Sequence, residues 1–188
     1  MTTKRESNKI YGVYSSSILT TKILLSMNEI GRNIKRNLEQ TINKNYLGKC
    51  IAEGFIKSGS INMVSYSSGM LKNGFIEFCV IFECMLCHPV EGMLIECTAK
   101  TITKAGIHAE VFDDDGNMPI TAFIARDHHY TNREFANVSE NTKITINVIG
   151  VRYELNDPYI CVIAKLVESN AKSHMNAPQK NARIAIHA

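Results

Sequence analysis

No apolar stretch in this 188-residue chain approaches the roughly 18 residues that a membrane-spanning helix requires, so no such helix and no membrane partner are expected. The first nine residues are polar and charged and lack the apolar middle of a secretory leader. Without export, the six scattered cysteines (Cys50, Cys79, Cys84, Cys87, Cys97 and Cys161) read as reduced thiols of an intracellular protein. There is no glycine-rich phosphate loop and no nucleophile grouped with an acid and a base, so no catalytic residue, no cofactor and no enzymatic activity are expected. Nor is there an internal repeat. Large net charge is also missing: the formal value is +3. The excess sits at the ends, with Lys4, Arg5 and Lys9 at one and Lys172, Lys180 and Arg183 at the other. The stretch between is slightly acidic, which argues against gripping nucleic acid by bulk electrostatics, because such affinity scales with the phosphates neutralised.

What is present is strand pattern interrupted by one helix. Residues 10–20 are rich in β-formers and predict a first strand. Ser26 with Glu29 three positions on forms a capping-box pair. Apolar residues then recur at Met27, Ile30, Ile34, Leu38 and Ile42, which predicts one helix ending near residues 43–45. Residues 50–57 and 60–65 read as strands parted at Ser58-Gly59, residues 66–74 as a Ser-, Gly- and Asn-rich loop, and residues 75–86 as a long strand covered on both faces.

A tight joint is expected at His88-Pro89-Val90-Glu91-Gly92. Beyond it, residues 93–103, 106–112, 119–125, 143–153 and 159–167 predict five strands with a longer excursion between the third and fourth, the pattern of a small OB-type barrel. The organisation expected is a helix-on-antiparallel-sheet (α+β) domain over 10–90, an all-β barrel over 91–168, and a disordered basic tail over 169–188.

Three motifs invite over-reading. Cys84-Met85-Leu86-Cys87-His88 matches the spacing for covalent haem attachment, but residues three apart on a strand point to opposite faces, and zinc would need about four ligands; buried inert thiols are expected and no metal. Asp113-Asp114-Asp115-Gly116-Asn117 hints at calcium, yet the twelfth position of such a loop is Ile124, so a solvated hairpin turn is expected. Asp127-His128-His129 could suggest catalysis, but adjacent loop histidines point apart.

The second half resembles the S-one type of OB domain, through Gly92–Ile102, Ala105–Val111, Ala122–Ala125 and the late pair 144–152 and 159–166. The first half narrows the resemblance. A strand, a helix, Tyr46-Leu47-Gly48-Lys49-Cys50, a Gly/Ser loop, and 75–82 leading into Pro89-Val90-Glu91-Gly92 look like the seventh-largest subunit of RNA polymerase II and its similar archaeal counterpart, the larger stalk subunits of their polymerases. In that family a truncated RNP-like tip domain joins an S-one barrel. The basic tail is foreign to cellular members and fits a divergent copy such as a large DNA virus would carry.

The resemblance implies a non-catalytic stalk subunit of a multisubunit DNA-dependent RNA polymerase, nuclear if cellular, or in a cytoplasmic viral factory or virion if viral. It implies pairing with a smaller stalk partner and docking on the polymerase core. The docking segment would be Tyr66-Ser67-Ser68-Gly69-Met70-Leu71-Lys72-Asn73-Gly74-Phe75, with Met70 and Leu71 as apolar anchors. The barrel would then touch single-stranded RNA. Strong RNA-binding barrels carry Phe where this chain has His108 and His where it has Ala125. Seven basic residues face eleven acids across 92–168. Weak, salt-sensitive RNA contact is therefore expected, through Lys100, Lys104, His108, Arg126, His128 and Arg152. The competing expectation is a free-standing RNA-binding module of translation or RNA decay, for which a rigidly fused N-terminal half would be superfluous.

Overall fold

The structure, a computed structural model, describes residues 12–129 and 133–167. The expected tail over 169–188 and the basic N-terminal arm lie outside the described residues.

Two β assemblies follow one another along the chain. The first is organised by β6 (Phe75–Cys87), whose alternating Phe78, Val80, Phe82, Cys84 and Leu86 point into one core. Along one edge β6 pairs antiparallel with all of β1 (Tyr14–Leu25), from Tyr14↔Cys87 to Leu25↔Ile76. Its other edge is shared in turn by β5 (Met70–Lys72), β4 (Asn62–Tyr66) and β3 (Gly54–Ile56), and β3 carries β2 (Cys50–Ile51) outside it. One helix, α1 (Ile34–Tyr46), buries Leu38 and Ile42 against this sheet beside Ile23, Leu25 and Phe82, and Tyr46 stacks over Phe82 at 6.1 Å between ring centroids.

The helix differs from the single one expected. Met27–Glu29 forms a separate 3-10 turn, and α1 starts only after the N-cap Asn33. The pair expected to cap a long helix closes the short turn instead: the Ser26 backbone N–H and hydroxyl both donate to Glu29 Oε2 at 2.8 Å. Those hydrogen bonds hold the Glu29 carboxyl below the usual range. Ile30 and Ile34 still meet the core, whereas Met27 points into solvent. β1 runs five residues beyond the strand expected at 10–20, since register with β6 outweighs the weak β signal of Lys22–Leu25. Residues 50–57 are not one strand but a hairpin folded at Ala52-Glu53. Only the helix side of β6 is fully covered: on the other face Cys79 and Ile81 are half-buried and Glu83 and Met85 exposed.

The second assembly is a closed barrel of β7 (Leu94–Ile102), β8 (Gly106–Val111), β9 (Ile120–Ala125), β10 (Lys143–Arg152) and β11 (Ile160–Leu166). Neighbours run β7-β8-β9-β11-β10 and back to β7, and the β9–β11 contact alone is parallel. That order in a five-stranded barrel is OB-like. Inward residues such as Ile95, Ile107, Ile124, Ile146 and Ile160 are inaccessible to solvent. The excursion between β9 and β10 contributes a 3-10 turn (Arg126–His128) and a short helix α2 (Arg133–Asn137) whose Phe135 plugs the barrel core.

The two assemblies are packed together. Cys50, Phe55 and Cys87 belong to the same buried cluster as the barrel interior. Cys50 and the β10–β11 turn exchange backbone bonds: Cys50 N–H donates to Asp157 O, and Asn156 N–H to Cys50 O, both at 2.8 Å. Tyr153 hydroxyl donates to Ala52 O at 3.0 Å. The Asp113–Asn117 turn is not merely solvated, as expected, but half of this joint. Tyr14 hydroxyl donates to Asp113 Oδ2 at 3.1 Å, and Lys57 pairs with Asp115 at 2.8 Å while lying over the Tyr14 ring. Asp113 Oδ1 is already used inside the turn by the N–H groups of Asp115 and Asn117.

Partial burial pushes the Asp113 carboxyl up, but its bonds from Asn117, Tyr14 and Asp115 outweigh this and leave it below the ordinary value. A carboxylate so depressed stabilises the fold above its unfolded pKa near 4, and that contribution is lost as pH falls through the folded value. Asp113→Ala should therefore lower stability at pH 7 by roughly 1–2 kcal/mol. In urea titrations the gap between variant and wild type should close as pH drops below about 4. A gap independent of pH would show that the carboxylate charge does not matter.

Candidate functional site

Two surfaces stand out, one at the free end of the first sheet and one on the barrel. At the sheet end, the stretch expected to be a loop is an ordered ribbon. Tyr66 closes β4, residues 67–69 cross to β5, and Asn73-Gly74 turns the chain into β6 with both residues at positive φ (50° and 81°). Such a turn matches the twist of paired strands, and it strongly favours Asn-Gly. Ser67 ties the crossing down: its N–H donates to Cys79 O at 2.9 Å and its Oγ accepts from Cys79 N–H at 3.0 Å. Gly69 passes so close to Ile76 and Phe78 that a Cβ there would collide with both. Lys72 pairs with Glu77 at 2.8 Å and Lys22 reaches the same carboxylate at 3.7 Å, which holds Glu77 below the ordinary carboxylate range.

On this fixed frame the apolar side chains face outward. Met70 is 65% exposed, Leu71 72% and Phe75 47%, so they are not the partly buried residues of an ordinary hairpin. Met70 and Phe75 share one face of the ribbon and Leu71, opposite Ile76, the other, so both faces of the tip expose apolar groups, as contact surfaces do. Tyr66, Ser67, Ser68, Lys72, Asn73 and Gly74 are exposed around them.

On the barrel, His108 of β8 and Phe123 of β9 are paired in register and pack ring to ring at 4.8 Å. Phe123 also lies over Gly106, where a Cβ would strike the Ile124 carbonyl and crowd the ring. Beside them a hollow of about 380 Å³ is lined by His108, Phe123, Val151, Arg152, Cys161 and Ile163 among others. Lys104 and Arg126 line a second depression with Ile102 and Thr103. Arg126 is partly committed: its Nε donates to Lys104 O at 2.9 Å, a terminal nitrogen donates to Thr103 O at 3.1 Å, and the guanidinium lies over Phe135. Arg152 is exposed, with only a loose pairing to Glu154 at 3.6 Å.

The structure thus brings His108 together with Arg152, and Lys104 together with Arg126. His128 stands exposed on the turn after β9. Lys100 does not join them: it sits at the bulge in β7 with its ammonium over Phe112, beyond the far end of β8. Sequence reasoning missed Phe123, although alternation along Ala122-Phe123-Ile124-Ala125 turns it outward once Ala122 and Ile124 are core. It also missed His129, which is buried and structural. Leu166 N–H donates to its Nε2 at 2.9 Å, so its Nδ1 carries the proton and donates to Ala125 O at 2.8 Å.

Among the described residues no three His, Cys, Asp or Glu groups converge as a metal site. Cys84 and Cys87 lie in separate cores, and burial pushes their thiols up to about 11 and 12. Thiols kept protonated in this way are poor nucleophiles and poor ligands.

Comparison with known proteins agrees with this architecture. No family model matches the chain. It is 22% identical over 166 residues to a protein of Acanthamoeba polyphaga mimivirus assigned as a DNA-directed RNA polymerase subunit, covering 83% of each chain. It is 21% identical over 159 residues to DNA-directed RNA polymerase II subunit RPB7 of Glycine max, covering 74% of this chain and 85% of that one. It is 23% identical over 111 residues to DNA-directed RNA polymerase II subunit 7 of Arabidopsis thaliana, covering 58% and 60%. With its helix-backed sheet leading into an OB-like barrel, this chain shows homology to subunit 7 of DNA-directed RNA polymerase II.

Proposed function

We propose that the protein docks on an RNA polymerase core by the ribbon over 66–75, pairs with a smaller stalk subunit, and touches emerging RNA weakly with the barrel. In this reading 10–90 is the docking unit, 91–168 the RNA-facing unit, and the protein resides wherever its polymerase works. The observation that carries the docking is the outward Met70, Leu71 and Phe75 on a hydrogen-bonded, ion-paired frame. A preordered apolar tip loses little conformational entropy on seating, so more of its contact energy survives as affinity. Capture of the full chain from its native source followed by mass spectrometry tests this. Large polymerase subunits in the eluate support it; ribosomal or exosome proteins in their place favour a free-standing RNA-binding module.

For RNA, the His108–Phe123 pair supplies a ring surface on which a base can stack, and Lys104, Arg126 and Arg152 supply charge at its edges. Stacking of this kind is tolerant of sequence. The acids of the barrel limit the affinity, but tethering to the polymerase raises effective concentration to about the millimolar range. Filter binding of the isolated chain to single-stranded RNA should give weak association that fades as salt rises from about 50 to 200 mM. Phe123→Ala with His108→Ala should weaken it about tenfold or more, as one lost stacking contact is worth about 1–3 kcal/mol. Tight binding that survives high salt, or indifference to the double variant, would refute this assignment.

A further inference from the structure

The hollow on the barrel wall owes its shape to a missing side chain. β8, β9, β11 and β10 lie side by side there, and their outward residues form two rows. One row is His108, Phe123, Ile163 and Gly150; the other is Glu110, Thr121, Cys161 and Arg152. Gly150 alone brings no side chain to its row. Its φ lies outside the left-handed region, and a Cβ built on it would meet nothing within 4 Å. Neither backbone conformation nor crowding demands glycine at this place, although glycine weakens a strand interior. The bulge between Val148 and Gly150 turns the gap outward; in unbroken register with the inward Ile146 and Val148 it would face the core. Bulges re-aim positions in this way beside binding sites.

The two rows differ in chemistry. The first gives a flat apolar side, with Phe123 packed against His108 and Ile163 53% exposed. The second is polar, and its ends carry opposite charges. Arg152 has only the 3.6 Å approach of Glu154, and Glu110 makes no ion pair among the described residues. The Thr121 hydroxyl and the Cys161 thiol stand between them. Such an arrangement suits a flat ring with acceptors on one edge and donors on the next. Guanine is the nucleobase that pairs a two-acceptor edge with a two-donor edge. Its O6 and N7 match a guanidinium fork, and its N1–H and exocyclic amine match a carboxylate.

We infer that the hollow is a slot for one guanine base of single-stranded RNA, with its face on Phe123 and Ile163, its O6/N7 edge toward Arg152 and its N1–H edge toward Glu110. The inference rests on the RNA-contact reading above and gives it a base preference. Stacking alone is indifferent to sequence; the charged ends of the slot are not. Past Gly106 and Ala125, the next outward pair of β8 and β9, Lys104 and Arg126 offer cations to the sugar-phosphate backbone. An apolar protein side chain in the slot would leave both charged ends unanswered.

The test uses the full chain and unstructured oligo(U) of about ten nucleotides carrying G, A, C or U at its centre. At about 50 mM salt the RNA with G should bind about tenfold more tightly than the other three, the discrimination that one good bidentate contact gives. It should also slow alkylation of Cys161 by N-ethylmaleimide, followed by peptide mass spectrometry, since Cys161 is the exposed cysteine among the described residues. Gly150→Val, a strong strand former entering open space, should unfold no more easily than wild type, keep the weak binding common to all four RNAs and lose the preference for G. Arg152→Gln with Glu110→Gln should lose the preference with the hollow still open, and decides the matter if Gly150→Val does not fold. Weak binding without a preference for G, or with Cys161 unprotected, overturns the inference and leaves RNA contact standing. A preference that survives both variants does the same. Binding to none of the four RNAs overturns both readings. Loss of polymerase subunits from the Gly150→Val eluate, with RNA binding unchanged, would show the hollow to be a protein contact and refute the slot.

Discussion

Met70→Asp together with Leu71→Asp should release the protein from the polymerase core, with at least a hundredfold loss of association, while the fold survives. Both side chains already face solvent, so the fold loses little packing. β5 is held by its turn, by pairing with residues 75–77 and by the Lys72–Glu77 bridge, all of which remain. Seated in an apolar pocket, each new carboxylate would be buried without a partner, and central anchors of an interface are commonly worth about 2 kcal/mol or more apiece. One local cost is foreseeable: Asp at 70 faces Glu77 across the ladder, and like charges directly opposed destabilise a strand pair by up to about 1 kcal/mol. Met70→Ser with Leu71→Ser avoids that repulsion and should still weaken association clearly. Co-purification undiminished in both variants, with circular dichroism unchanged, would end the docking assignment.

Phe82→Ala should lower stability by about 3–5 kcal/mol, a large share of the roughly 5–15 kcal/mol that holds a typical domain. Phe82 is 1% exposed at the middle of β6, in register with Leu19 on one side and Met63 on the other, and roofed by Tyr46 of α1. Deleting the ring opens a cavity where four segments meet, and the surrounding strands are too firmly paired to close it. The urea midpoint should drop sharply. Amides of β1, β4 and β6 should lose hydrogen-exchange protection before those of the barrel, whose own cluster does not include Phe82. A loss under about 1 kcal/mol would mean that the helix and sheet do not share the tight core described here.

Much of the barrel was legible in the chain. Its strands alternate inward Ile, Val and Ala with outward polar residues, and turn residues punctuate them, so each boundary fell within a residue or two. The helix was legible by its stripe but not by its start. The Ser26/Glu29 signal was real, and it closed a 3-10 turn, because Gly31 and the extended Ile30 interrupt the helical path before Asn33. The ribbon was harder. β5 has three residues, too few to show alternation, and its Asn73-Gly74 turn lay within a stretch whose Ser and Gly content hid the flanking strands. Of the residues proposed to face RNA, outward placement of His108 followed from alternation, whereas Arg152, of the same parity as the inward Ile146 and Val148, turns outward only because a bulge at Val148–Gly150 shifts the register. Their meeting in one hollow depends on β8 and β10 lying on either side of β9 and β11, which is a property of barrel closure.

Local chemistry alone determined the strand periods and the apolar stripe of α1, because each depends on residues a few positions apart, and composition set the small charge of the body. Tertiary structure decided what depends on distant partners. Asp113 found Tyr14 ninety-nine residues away, His129 was drawn into the barrel to receive the Leu166 amide, and the end of β1 came to rest across β6 from β5. Those pairings follow from sheet register and closure, where one strand's position fixes its neighbours', and no short window of sequence carries that information.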